Sequence, residues 1–113
     1  MKEEKIKTLT DFWPFYLSEH QNKTNRLLHF IGTGLSLFWL FKTLQKKDPK
    51  YILVGLLNGY GLAWLGHFFF EKNKPAAFKY PVKSFVSDWK MFGYIAAGKM
   101  KKELEAQGVE SVA

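Results

Sequence analysis

Cysteine is absent from the chain. That excludes a disulfide-stapled fold, a Cys-ligated zinc or iron–sulfur site and a thiolate nucleophile. Acidic residues are scarce against basic ones, 10 Asp and Glu to 17 Lys and Arg, for a net charge of +7. Such an excess points to an anionic neighbour: nucleic acid, phospholipid headgroups or an acidic substrate. The motifs GxxxxGKS/T, GxGxxG and GxSxG are missing, which removes the usual phosphate-cradling loops and the nucleophile elbow. No recognised nucleic-acid module is present, and the aromatics lie among apolar neighbours rather than between basic residues, so no nucleic-acid partner is expected. The first apolar run starts late and carries no cleavage-site pattern, so no signal peptide is expected. A chain that is 47% hydrophobic and 18% aromatic is not disordered.

Charge is missing most conspicuously from the middle. Leu27 to Phe41 and Tyr51 to Phe70 contain no Asp, Glu, Lys or Arg. The second run has the length that spans a bilayer's hydrocarbon core, roughly 20 residues. The first reaches it if Lys42 snorkels and the helix continues to Leu44. Gln45-Lys46-Lys47-Asp48-Pro49-Lys50 lies between them, and its proline ends a helix. The pattern predicts an all-α chain: a membrane helical hairpin flanked by an N-terminal interfacial helix and a C-terminal amphipathic helix. The expected single domain, 1–113, divides into an interfacial helix at 8–20, transmembrane helices at 24–44 and 51–71, an amphipathic helix at 82–104 and a frayed tail at 105–113. A soluble four-helix bundle with two very apolar core helices is the alternative; helices apolar all round favour lipid in so short a chain.

Several smaller signals fit the hairpin. Thr10 or Asp11 is expected to cap the first helix, with Pro14 in its first turn. Gly32 and Ser36 share one face of the first span, and Gly55, Gly59 and Ala63 recur every fourth residue in the second, a spacing that lets backbones approach in lipid. Phe85, Trp89, Phe92, Ala96 and Met100 form the apolar stripe of the last helix. The loop carries Lys46, Lys47 and Lys50. The opposite side carries Lys2, Lys5, Lys7, Lys23, Arg26, Lys72, Lys74, Lys79 and Lys83. That bias predicts an integral, multi-pass membrane protein with both termini in the cytoplasm.

The chain has three histidines, His20, His29 and His67. In a hairpin turning near residue 48, facing residues have numbers that add to about 96, as His29 with His67 and Asn25 with Glu71 do. His29 stands four residues from Asn25 and His67 four from Glu71, each pair on one face of its helix. Two polar ladders therefore meet near the cytoplasmic ends, with His20 able to fold back onto them and Asp88 a further candidate. Three imidazoles and a carboxylate suit a first-row transition metal with open positions. Spacing alone leaves iron and zinc both open.

Taken together, Tyr16-x-x-x-His20, Asn25-Arg26-x-x-His29-x-x-Gly32, Gly66-His67-x-x-x-Glu71-x-x-x-Pro75-Ala76 and Ser87-Asp88-Trp89-Lys90-Met91-Phe92 resemble the small membrane family of 2-hydroxy fatty acid dioxygenases. The resemblance runs from about Phe12 to Phe92. It implies an Fe(2+) enzyme that uses O2 to shorten a 2-hydroxy fatty acid by one carbon with release of CO2, in the α-oxidation branch of lipid metabolism. It implies His20, His29 and His67 as iron ligands and Glu71 as a fourth ligand or an acceptor behind them. Asn25 would support the ligands, Arg26 or a neighbouring Lys would hold the substrate carboxylate by charge-assisted hydrogen bonds, and Asp88 would orient a His. Membrane lipid surrounds the hairpin in this reading, the metal site is cytoplasmic, and a homodimer is left open because so small a hairpin supplies little site wall. The alternatives are a zinc-dependent membrane hydrolase on the same ligands and a small non-enzymatic scaffold protein.

Overall fold

A computed structural model describes residues 8–111, and all regular structure among them is helical. Lys2, Lys5 and Lys7, which enter the charge bias, lie outside the described residues. Helix α1 (Leu9–Ser18) is capped by Thr8, whose Oγ1 accepts from the Asp11 backbone N–H at 3.1 Å. The cap is thus two residues earlier than Thr10, and Pro14 lies beyond the first turn. Helix α2 (Lys23–Lys46) starts at Asn22, whose side chain accepts from the Asn25 N–H at 3.1 Å. It ends at Lys47 in the left-handed conformation, φ 56°. Asp48 accepts from the Lys50 N–H, and Pro49 starts helix α3 (Lys50–Leu65).

Helices α2 and α3 form the expected hairpin. Both spans, 23–46 and 50–71, are long and apolar enough to cross a membrane by length and composition. Leu37, Phe38, Phe41, Leu44, Leu53, Leu57, Phe68 and Phe69 stand exposed on them. The helices cross on their small residues. A Cβ on Gly32 would lie 3.0 Å from the Gly59 carbonyl oxygen, and one on Gly55 would lie 3.2 Å from the Trp39 Cβ. The Ser36 hydroxyl completes the seam, 3.0 Å from the Gly55 carbonyl across the hairpin. The pairs Gly32–Gly59 and Ser36–Gly55 have numbers adding to 91 rather than 96. The rings of His29 and His67 still meet, with centroids 4.9 Å apart. Helical side chains tilt toward their own N-terminus, so in an antiparallel pair two long side chains reach one another from positions whose backbones are offset.

The second span does not stay α-helical to its end. Gly66–Glu71 forms a π-helical turn closed by Lys72 at φ 61°. A π turn inserts one residue and rotates the chain beyond it, so His67 and Glu71 swing toward the start of α2. Gly66 permits this because a Cβ there would collide with Asn25 Oδ1. A short 3₁₀ turn (Ala76–Phe78) leads into α4 (Pro81–Ala96).

The single helix expected over 82–104 is two helices. Gly98, at φ 72°, ends the run, and α5 (Met100–Ala106) folds back. Only a residue without Cβ takes that conformation freely. The reversal places Met100 and Leu104 in a core with Phe12, Trp13, Tyr16, Leu17, Ala76 and Met91. Trp13 donates to Glu103 at 2.6 Å, and the Lys90 ammonium lies 4.3 Å from its ring centroid. The expected stripe on α4 is also turned: Ser84, Ser87 and Met91 are buried, while Phe85 is about half exposed. The segment expected to fray is tied down within the described residues. Val109 packs on the core, and Ser111 Oγ accepts from Arg26 Nη2 at 2.6 Å.

Gly66→Ala should lower stability by about 1–3 kcal/mol, the usual cost of overpacking a buried site. Gly61→Ala, where a Cβ meets nothing within 4 Å, should leave stability unchanged or raise it. Thermal unfolding of detergent-solubilised protein reads both.

Candidate metal centre

Three elements each deliver one imidazole. His20 follows α1, its backbone N–H closing on the Leu17 carbonyl. His29 sits two turns into α2, and His67 sits in the π turn. All three are buried. The Nε2 of His20 lies 3.1 Å from that of His29 and 3.0 Å from that of His67. One ligand atom from each ring falls within 4.8 Å of the others, so the trio could hold a metal ion.

The other nitrogen of each ring decides the protonation pattern. His20 Nδ1 lies 2.6 Å from the Tyr16 carbonyl, and His29 Nδ1 lies 3.1 Å from the Asn25 carbonyl. A carbonyl only accepts, so each Nδ1 carries the proton. His67 Nδ1 lies 2.7 Å from Asn73 Oδ1. The Asn73 amide is oriented by its own Nδ2, which donates to the Glu19 carbonyl at 3.1 Å. In the neutral rings all three Nε2 atoms therefore carry lone pairs, and they converge without a donor among them. A cation resolves that repulsion. A proton is disfavoured at His20, whose pKa is held well below the ordinary imidazole value by burial, then by His29 and His67. The donor set fits a metal. Three imidazole nitrogens would hold a first-row transition metal ion and leave further positions open to substrate.

Glu71 lies outside the three-His cluster. Its carboxylate accepts from the backbone N–H groups of Gln21 and Asn22, at 3.1 and 2.9 Å, and from Asn25 Nδ2 at 3.0 Å. It is an anion at the start of α2, where unpaired N–H groups favour negative charge, and it ties the π turn carrying His67 to the helix carrying His29. Asn25 serves the same clasp, and its Oδ1 is buried without a hydrogen-bond partner among the described residues. Arg26, expected to bind a substrate carboxylate, is buried and donates to the carbonyls of His20 and Gln21 at 2.7 and 2.8 Å. It braces the loop that carries His20.

Asp88, expected to orient a His, meets Tyr16 instead. The Tyr16 hydroxyl donates to Asp88 Oδ1, and the Tyr16 ring stacks on His20 with centroids 4.1 Å apart. Burial pushes the Asp88 carboxyl up to about 7, and the Tyr16 hydrogen bond pulls the other way. Burial, then the charge of Asp88 and its hydrogen bond, hold the Tyr16 phenol well above its usual range, so it stays a donor. Sequence reasoning gave Tyr16 no role and passed over Asn73 and Ser84. The Tyr16-x-x-x-His20 spacing was a usable signal for the first; Asn73 lies in an aperiodic turn that carries none.

Two cavities meet at the site. A chamber of about 20 Å³ is lined by Tyr16, His20, His29, His67, Ser84 and Asp88, among others. A mostly apolar groove of about 180 Å³ starts at His29 and Asp88 and follows α2 and α3 to Leu40 and Ile52, with Phe85 and Trp89 as its outer wall. His29, Tyr60, Ala63 and Asp88 line both.

Replacing His20, His29 or His67 with Ala should each abolish tight metal binding. Asn73→Ala should weaken it by about 10–100-fold, the usual effect of losing a partner behind a ligand. Metal analysis and competition with a chelating dye, on protein carrying no His-tag, measure both.

Neither the curated proteins nor the solved structures contain a match to this chain. A family model does match, over residues 6–100, and it is described as 2-hydroxy-palmitic acid dioxygenase Mpo1-like. With most of its length matched, the chain belongs to the Mpo1-like family.

Proposed function

We propose that the chain is an Fe(2+)-dependent dioxygenase that shortens 2-hydroxy fatty acids by one carbon. The balanced reaction takes a 2-hydroxy acid and O2 to the shorter carboxylic acid, CO2 and water. The observation that carries this reading is the convergence of three buried Nε2 lone pairs at the head of an apolar groove. His20, His29 and His67 hold the ion. Fe(2+) would supply the Lewis acidity that a 2-hydroxy carboxylate can chelate and the electrons that O2 needs to react with a closed-shell substrate.

The chain's own residues do the rest. Glu71 and Asn73 fix His67, and the Tyr16–Asp88 pair fixes the face of His20. The groove takes the hydrocarbon tail, and its walls exclude water from the reacting end. Arg26 is committed to the loop, so attraction of the acid falls to the rim lysines, among them Lys23, Lys72, Lys74 and Lys83.

The same reading makes the chain a single-domain, multi-pass membrane protein. Exposed apolar side chains on both spans support insertion in lipid. The Lys and Arg bias supports cytoplasmic termini and a metal site at the cytoplasmic face. A lipid substrate could then enter the groove from the bilayer without crossing water.

Protein purified in detergent without a His-tag should carry close to one iron per chain. It should consume O2 in step with loss of a 2-hydroxy fatty acid and release of CO2. His29→Ala and His67→Ala should lose both properties. Stoichiometric zinc with O2-independent hydrolysis would replace this reading with a zinc hydrolase. Absence of any metal, with triple His→Ala affecting only stability, would leave a scaffold protein.

A further inference from the structure

Ser84 carries a hydroxyl that the fold does not use. The residue is only 2% exposed, on the inward side of α4, and its Oγ has no hydrogen-bond partner among the described residues. A serine inside a helix ordinarily returns its hydroxyl to the carbonyl four residues back. Here the Tyr80 carbonyl receives the Ser84 backbone N–H, while the side chain lines the chamber shared with His20, His29 and His67. A buried hydroxyl left unpaired is unfavourable, and an acceptor on a bound ligand would satisfy it.

The neighbours limit what that ligand can be. The three imidazole Nδ1 protons are tied to oxygens, and the Tyr16 hydroxyl is given to Asp88. The lone pairs of the rings face the metal position. Ser84 is thus an uncommitted O–H donor in a chamber of about 20 Å³, room for one water-sized group. A carboxylate oxygen has that size, and a carboxylate has more lone pairs than a metal ion occupies.

We infer that Ser84 donates a hydrogen bond to the substrate's carboxylate, anchoring the acid head beside the three-His site while the tail lies in the groove. This rests on the proposed dioxygenase reading. It assigns carboxylate recognition to α4 rather than to Arg26. It also accounts for a serine on the buried side of α4.

The test measures binding rather than turnover, with Zn(2+)-loaded wild-type protein, Ser84→Ala and Ser87→Ala in detergent. The two ligands are a long-chain 2-hydroxy acid and the 1,2-diol of equal length, which lacks the carboxylate. Ser84→Ala should bind the acid about tenfold more weakly, keep its affinity for the diol, and retain full metal content. Ser87, buried one turn along α4 but not lining the chamber, should give wild-type affinities as Ala. If wild type binds the acid and Ser84→Ala binds it equally well, a water completes Ser84 and the inference is overturned, while the dioxygenase reading stands. Equal losses for acid and diol would also overturn it, as general damage to the site. Failure of wild type to bind the acid at all would overturn both.

Discussion

Three imidazole lone pairs aimed at one point are an arrangement that no neutral protein interior favours. Each ring is held in it by its far nitrogen, which is bound to the Tyr16 carbonyl, the Asn25 carbonyl or the Asn73 amide oxygen. These restraints come from three separate stretches of chain, so the convergence exists only when α1, α2 and the π turn are docked together. Burial adds to the cost, because it disfavours uptake of a proton at His20 that would relieve the repulsion. A bound cation turns the repulsion into coordination, and metal affinity and folding are therefore coupled.

The docking is done by a second polar cluster. The Glu71 carboxylate gathers the Gln21 and Asn22 N–H groups and the Asn25 amide. Arg26 secures the carbonyls of His20 and Gln21 from the next position on α2. Glu71 and Arg26, two of the groups nominated for chemistry, make hydrogen bonds that hold the segments carrying the histidines. Precise geometry at a metal needs such supports, and a carboxylate near a His cluster is as readily a brace as a ligand. On the other flank the aromatic core of α1, α4 and α5 holds Tyr16 against His20, and through Tyr16 it places Asp88 at the junction of chamber and groove.

Much of this is legible in the residues alone, with instructive exceptions. The two charge-free runs and Pro49 mark the hairpin, and the small residues at 32, 36, 55 and 59 mark its seam. The pairing of His29 with His67 comes from a register that the backbones do not share; tilt of the side chains toward their helix N-termini compensates the offset. The break at Gly98 is hidden because Phe92, Ala96 and Met100 continue a helical period across it. Periodicity registers which residues are apolar and not which way the chain turns between them. The π turn leaves no periodic trace either, and it decides the direction in which His67 and Glu71 point.

Composition and spacing thus determined by themselves that the chain is helical, that its middle is apolar enough for lipid, and that its three histidines gather at one end of a hairpin. Those properties are local or come from a single antiparallel pairing, so each can be counted along the chain. Only the tertiary structure decided that Glu71 and Arg26 hydrogen-bond the loop between α1 and α2, that Asn73 orients His67, that Asp88 meets Tyr16, and that Ser84 is left facing the chamber. Those roles depend on the angle at which the last turn of a span, a short loop and a reversed helix meet, and hydrogen-bond direction is settled by that angle rather than by residue type.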